Sequence, residues 1–146
     1  MQYSAQNFVW RASCLSLYLS NVINPNEVIP MRLSRLYTGN DGQSHLEEIA
    51  LAFAPGGMGE VAPMQRATGV AFSRTPTGAF MDWHNAPRRQ YVITLAGAVE
   101  IGLGDGSVHR FGPGEGILAE DLTGKGHTTR AVGNEARISV TIPLVD

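Results

Sequence analysis

The stretch DWHNAPRRQYVITLAG, Asp82 to Gly97, places His84 six positions before Gln90, which opens an alternating apolar run. Imidazole nitrogen is the commonest protein donor to borderline divalent metals, and a strand that turns Gln90 inward would add an amide oxygen. The stretch looks like a metal site from which two ligands have been removed. Gln90 shares strand parity with Val92 and Thr94 and opposes Tyr91, Ile93 and Leu95. It brings no negative charge, so an ion held there keeps its full charge in a poorly solvated pocket. The alternative is a Gln90 that hydrogen-bonds a bound molecule or a neighbouring strand.

Other groups nearby bear on the same chemistry. Asp82 precedes His84 by two residues, and Glu120 and Asp121 lead into the loop that ends at His127. A carboxylate on an imidazole fixes its tautomer and raises its basicity, as second-shell support for a ligand or in a His–Asp general base. The competing role is a turn residue satisfying backbone amides, which AEDLTG suits. We assign Glu120 to the turn and leave Asp121 open between the two. Arg88, turned inward, would clamp a substrate carboxylate or phosphate by paired donors; turned outward, Arg88 and Arg89 are a solvated edge. Trp83 is a candidate contact for a bound molecule, against the alternative of core or rim, as for Tyr91. His45 is expected in a solvated turn and His109 on an exposed hairpin.

Further patterns lack what their chemistry requires. GKGHTT at 124–129 has no spaced glycine and no Lys-Ser/Thr pair for a phosphate loop, and GGMG at 56–59 has no helix signal after it. Cys14 is the single cysteine, with no base in view, so neither a thiol nucleophile nor an internal disulfide is expected. A net charge of −2 without a basic run argues against nucleic acid and anionic membranes as partners. Arg11 interrupts the apolar part of FVWRASCLSLYLSNVI, no basic segment precedes it, and no stretch has bilayer-spanning length. The expectation is a soluble cytoplasmic protein.

These residues must be carried by strands. At 146 residues the chain is the size of one domain, with 16% charged residues, 17 Gly and 8 Pro. From Met31 onward MRLSRLY, HLEEIALAF, TGVAFSR, AFMDW, QYVITLAG, AVEIGL, SVHRF, ILAE, HTTRAV and RISVTIPL alternate with turns, and PGGMGEVAPM reads as a loop. Eight to ten short strands predict an all-β barrel or sandwich over 31–146. The best helical periodicity is weak and covers 3–20. Met31 could itself be a start, and residues 1–30 read as an arm whose Phe8, Trp10, Leu15, Leu17, Tyr18 and Leu19 would be buried on a neighbouring subunit.

The segment from Gly78 to about Gly133 resembles the two motifs of the cupin family. Gly78, five residues, His84, then Gln90 where the motif has Glu, and six residues to Gly97 follow the first motif, with Ala86 in place of its second histidine. FGPGEGILAEDLTGKGHTTRAVG follows the second, with Pro113-Gly114 as its turn, His127 as its histidine and a longer loop at 121–126. The resemblance implies a small jelly-roll β-barrel, commonly a homodimer, with a ligand pocket inside. It also implies that His84, Gln90 and His127 are the positions for a Zn, Ni, Mn or Fe ion, and that Ala86 rules out the three-histidine site.

Two classes of function follow. One is a small-molecule enzyme of isomerase, lyase or decarboxylase type, with His84, Gln90 and His127 holding the metal. Without metal, His84 or His127 would move protons, with Asp121 orienting one of them and Arg88, Gln90 and Trp83 contacting the substrate. The other is a barrel that binds a small polar molecule as carrier or sensor without chemistry.

Overall fold

Residues with alternating polar and apolar side chains, punctuated by Gly and Pro, satisfy their backbone groups most readily as short paired strands. The computed structural model describes residues 31–145, which form twelve strands and no helix. In chain order they are β1 (Leu33–Thr38), β2 (Ser44–Glu48), β3 (Ala54–Gly56), β4 (Gly59–Val61), β5 (Ala71–Thr75) and β6 (Phe80–His84). They continue with β7 (Gln90–Ala96), β8 (Ala98–Gly102), β9 (Val108–Phe111), β10 (Gly116–Glu120), β11 (His127–Val132) and β12 (Arg137–Pro143). Ten of these overlap the segments expected to be strands, although HLEEIALAF is strand only as far as Glu48. The other two, β3 and β4, form a pair of three-residue strands from Ala54 to Val61, largely within PGGMGEVAPM, where the expectation was loop. Strands that short carry too little alternation to be read. The proposed arm at 1–30, its helical candidate and Cys14 lie outside the described residues.

Two sheets make the fold. The larger has the order β2-β1-β10-β7-β12-β5 and the smaller β6-β11-β8-β9, with β3-β4 as a separate ribbon. All pairings among the named strands are antiparallel except β1 with β10. No helix of the described residues is long and apolar enough to cross a membrane.

The interior has two characters. Leu36, Val99, Ile101, Leu103, Phe111, Ile117 and Ala119 form a buried apolar cluster, fed by β1, β8, β9 and β10. Elsewhere the usual pattern is inverted. On β12, Arg137, Ser139 and Thr141 face a cavity between the sheets, while Ile142 on the opposite face lines a groove outside with Tyr91 and Ile93 of β7. An interior wall built from Arg, Ser and Thr is costly to leave dry. It suits a polar occupant.

Candidate functional site

β11 and β6 bring the two histidines together. His127, first residue of β11, is the register partner of His84, last residue of β6. Further along, Thr129 pairs with Met81, so β11 advances two residues while β6 advances three. The surplus residue, at Asp82–Trp83, is a β-bulge. It lets Met81 and His84, three apart, both line interior cavities, which a regular strand would forbid. The imidazole centroids are 4.3 Å apart and their planes inclined at 56°.

Each ring is anchored on its Nδ1. His84 Nδ1 lies 2.7 Å from the Asp82 carbonyl oxygen, and because a carbonyl only accepts, Nδ1 carries the proton. The Asp82 carboxylate instead caps the Trp83 amide at 2.9 Å. His127 Nδ1 donates to Asp121 Oδ2 at 2.7 Å, and Ser44 Oγ donates to the same oxygen at 2.7 Å. Asp121 is fully buried, and its Oδ1 has no partner among the described residues. Neither Nε2 atom has a hydrogen-bond partner there either, and both histidines line a cavity of about 130 Å³.

The loop of residues 121–126 fixes this arrangement. Asn85 Nδ2 donates to the carbonyls of Asp121 and Thr123 at 3.1 and 2.7 Å, and the Ala86 amide donates to Asp121 at 3.3 Å. Gly126 has φ of 76°, and a Cβ there would run into the His84 carbonyl. Only glycine allows the two strands to meet so closely at this point.

Gln90 lines the same cavity, as does Ala86, which leaves room where a third imidazole would stand. Among the described residues no three His, Cys, Asp or Glu side chains gather as metal ligands, so an ion here would depend on the Gln90 amide. The anchored Nδ1 atoms and free Nε2 atoms nevertheless match what ligating histidines need. The donor set fits a divalent ion held by three neutral groups.

The remaining candidates sit apart from the cavity wall. Arg88 is exposed, and Trp83, 43% exposed, lies under the Lys125 ammonium at 4.2 Å from its ring centroid. Arg89 donates to Glu120 Oε2 at 3.0 Å, and Arg35 donates to Oε1, so Glu120 joins β1 to the segment before β7. Burial works against the Glu120 carboxylate, but these two guanidinium groups outweigh it and hold its pKa below the ordinary glutamate value. His45 pairs with Asp41 and His109 with Ser107 near the surface.

Arg137 was not singled out by its sequence context. It is 8% exposed, donates from Nε and Nη2 to Thr94 Oγ1 at 3.1 and 3.0 Å, and lines the histidine cavity. Burial lowers its pKa. The available signal was parity: in RISVTIPL the polar residues Arg137, Ser139 and Thr141 share one face. Gly97, with φ of 66°, lies against the Arg137 Cα and leaves no space for a side chain.

No protein-family model matches the chain, and none of the curated proteins compared matches it. Among solved structures, a conserved protein of unknown function from Streptococcus pyogenes aligns at 20% identity with a TM-score of 0.41, over 58% of this chain and 72% of its own. The Cnp3 cupin domain of Schizosaccharomyces pombe aligns at 12% identity with a TM-score of 0.42, over 78% of this chain and 88% of its own. No residue role is taken from either. On its own strand order the chain is an all-β fold of two sheets with the two motif histidines paired between neighbouring strands, as the strand rhythm and motif spacing implied.

Proposed function

We propose that the barrel binds a small polar molecule and that His84 and His127 act on it as a proton-transfer pair. The observation that carries this reading is their juxtaposition, each ring anchored through Nδ1 and each Nε2 left for the cavity. With Nδ1 protonated, a neutral imidazole takes a proton on Nε2. Behind His127 the Asp121 carboxylate holds the ring orientation and balances the positive charge of the protonated ring, so His127 is assigned as the base. Its Nε2 removes a proton from a carbon beside a carbonyl, and the C–H electron pair becomes the enol double bond. The carbonyl oxygen takes a proton from protonated His84. Return of the proton from His127 to the neighbouring carbon, while a hydroxyl on the first carbon yields its proton to His84 and becomes the new carbonyl, completes an isomerisation; expulsion of a β-leaving group as the enol O–H yields its proton to His84 instead gives a lyase.

A second reading uses the same atoms. His84, His127 and Gln90 hold a divalent ion, favoured by the place of Gln90 on the shared wall. What such an ion would supply there is Lewis-acid polarisation of a substrate carbonyl.

Two measurements test these readings. Solvent deuterium exchange into pyruvate and dihydroxyacetone is expected to be accelerated by the protein and to fall about 100-fold or more in His127→Ala; no acceleration with either compound sinks the proton-transfer reading. Elemental analysis after growth with Zn, Ni, Mn and Fe tests the second. Near-stoichiometric metal lost in both His84→Ala and His127→Ala supports it, and none under any supplement sinks it.

A further inference from the structure

Arg137 stands at the head of β12 and turns between the sheets. The Arg–carboxylate pairs among the described residues join Arg32, Arg35 and Arg89 to Glu47, Glu48, Glu115 and Glu120; Arg137 belongs to none of them. Its hydrogen bonds to Thr94 use Nε and Nη2, two of the five N–H donors of a guanidinium. Nη1 has no partner among the described residues. A guanidinium withdrawn from water with no anion beside it is among the least favourable groups to bury.

The surroundings match a ligand anion. Arg137 lines both the histidine cavity and a second cavity of about 270 Å³, together with Val92, Val99 and Thr129. It therefore lies where the two spaces meet. The second cavity adds the hydroxyl residues Ser73, Thr75, Ser139 and Thr141. No Asp, Glu, Lys or second Arg lines either cavity.

We infer that Arg137 anchors the carboxylate of a small hydroxy or keto acid, whose oxygen-bearing carbons extend toward His84 and His127. One guanidinium with no lysine or second arginine beside it matches a single permanent negative charge, which favours a carboxylate over a phosphate dianion. The planar Arg fork meets two carboxylate oxygens at once, and the serine and threonine hydroxyls serve the ligand's other oxygens. The assignment rests on the barrel-binding reading above and gives it a substrate class. In RISVTIPL the shared face of Arg137, Ser139 and Thr141 is the one sign of such a role, and an arginine opening a strand is ordinarily solvated.

The test uses the full chain, labelled with nitrogen-15. The Nε–H signal of Arg137, identified by its loss in Arg137→Lys, is followed during titration with pyruvate, lactate and gluconate at constant ionic strength. Lactamide and inorganic phosphate are the controls. At least one carboxylate is expected to move the signal saturably while lactamide does not. Arg137→Lys is expected to weaken that binding, followed on the remaining amide signals, about tenfold or more, because the lysine ammonium cannot reproduce the paired donors. If no carboxylate moves the signal, the inference falls; if phosphate moves it and no carboxylate does, the carboxylate assignment falls. Should Arg137→Lys fail to fold, the same wild-type titration is followed on the backbone amides of Ser139 and Thr141, which line the same cavity, with the same outcomes. Deuterium exchange without a carboxylate shift would remove this inference alone, whereas a carboxylate shift without exchange would remove the proton-transfer reading alone.

Discussion

His84 and His127 face each other across β6 and β11 with ring centroids 4.3 Å apart, yet they are held from behind by different acceptors. His84 leans on a backbone carbonyl and His127 on the Asp121 carboxylate. Ring nitrogen-15 shifts of the neutral protein are expected to report both histidines as Nδ1–H tautomers. Asp121→Asn replaces the anion with a neutral amide whose NH₂ and carbonyl compete for the same ring nitrogen. It should disturb the His127 tautomer, leave that of His84, and reduce the proposed deuterium exchange about 10- to 100-fold. Unchanged His127 shifts in Asp121→Asn would show that the carboxylate does not set the tautomer.

Gln90 lines the cavity as a neutral donor. Gln90→Glu keeps the shape and adds the missing charge beside two imidazoles. Affinity for zinc, measured by competition with a chelating dye, is expected to rise about tenfold or more, since a carboxylate a few ångströms from a dication contributes more than that even at an effective dielectric near 20. Equal or weaker zinc binding in the variant would place Gln90 outside any ion's reach.

Gly126 sits at φ of 76° with the His84 carbonyl where a Cβ would go. Gly126→Ala should cost roughly 1–3 kcal/mol in urea unfolding from backbone strain alone, with more from the clash. The loss should be accompanied by changed His84 and His127 signals, because the loop that carries His127 must retreat. A neutral variant would refute the close approach.

Glu120 supplies the pH dependence. Arg35 and Arg89 hold its folded pKa below the ordinary 4.5 despite burial. The folded state therefore binds its proton less readily than the unfolded chain. Its contribution is full above about pH 4.5 and is lost as pH falls from there through the lowered folded value. With the arginine side chains 40% and 37% exposed, solvent screening limits the contribution to on the order of 1 kcal/mol. Unfolding of wild type and Glu120→Gln should differ by that amount at pH 7 and converge at pH 3. A constant gap across that range would overturn the assignment.

Strand rhythm and motif spacing made the barrel and the His84, Gln90 and His127 positions legible in sequence, since those depend on local alternation and on fixed separations. The acceptor behind His84 was not legible. Asp82 is near in sequence, but its backbone oxygen rather than its carboxylate holds the ring, which only the bulge determines. Arg88 was the arginine best placed by proximity to the motif, yet it is exposed, and Arg137, 53 residues after His84, reaches the cavity. Its access comes from β12 lying next to β7 in the sheet, a long-range pairing that no local pattern encodes. Asp121, open between turn and support, is both: its carbonyl holds Asn85 and Ala86 while its carboxylate holds His127 and Ser44.

The surplus residue at Asp82–Trp83 sets the phase of β6, and with it the character of the whole interior. Were the bulge flattened with both residues kept, Met81 and His84 would stand three apart on a regular strand, and His84 would turn to the outer face while Met81 kept its place. The cavity would then be lined by one histidine instead of two. Removing one of the two residues would instead bring Met81 and His84 to a spacing of two, which shares a face on a regular strand, so with both residues present the inward His84 depends on the bulge that absorbs the extra one.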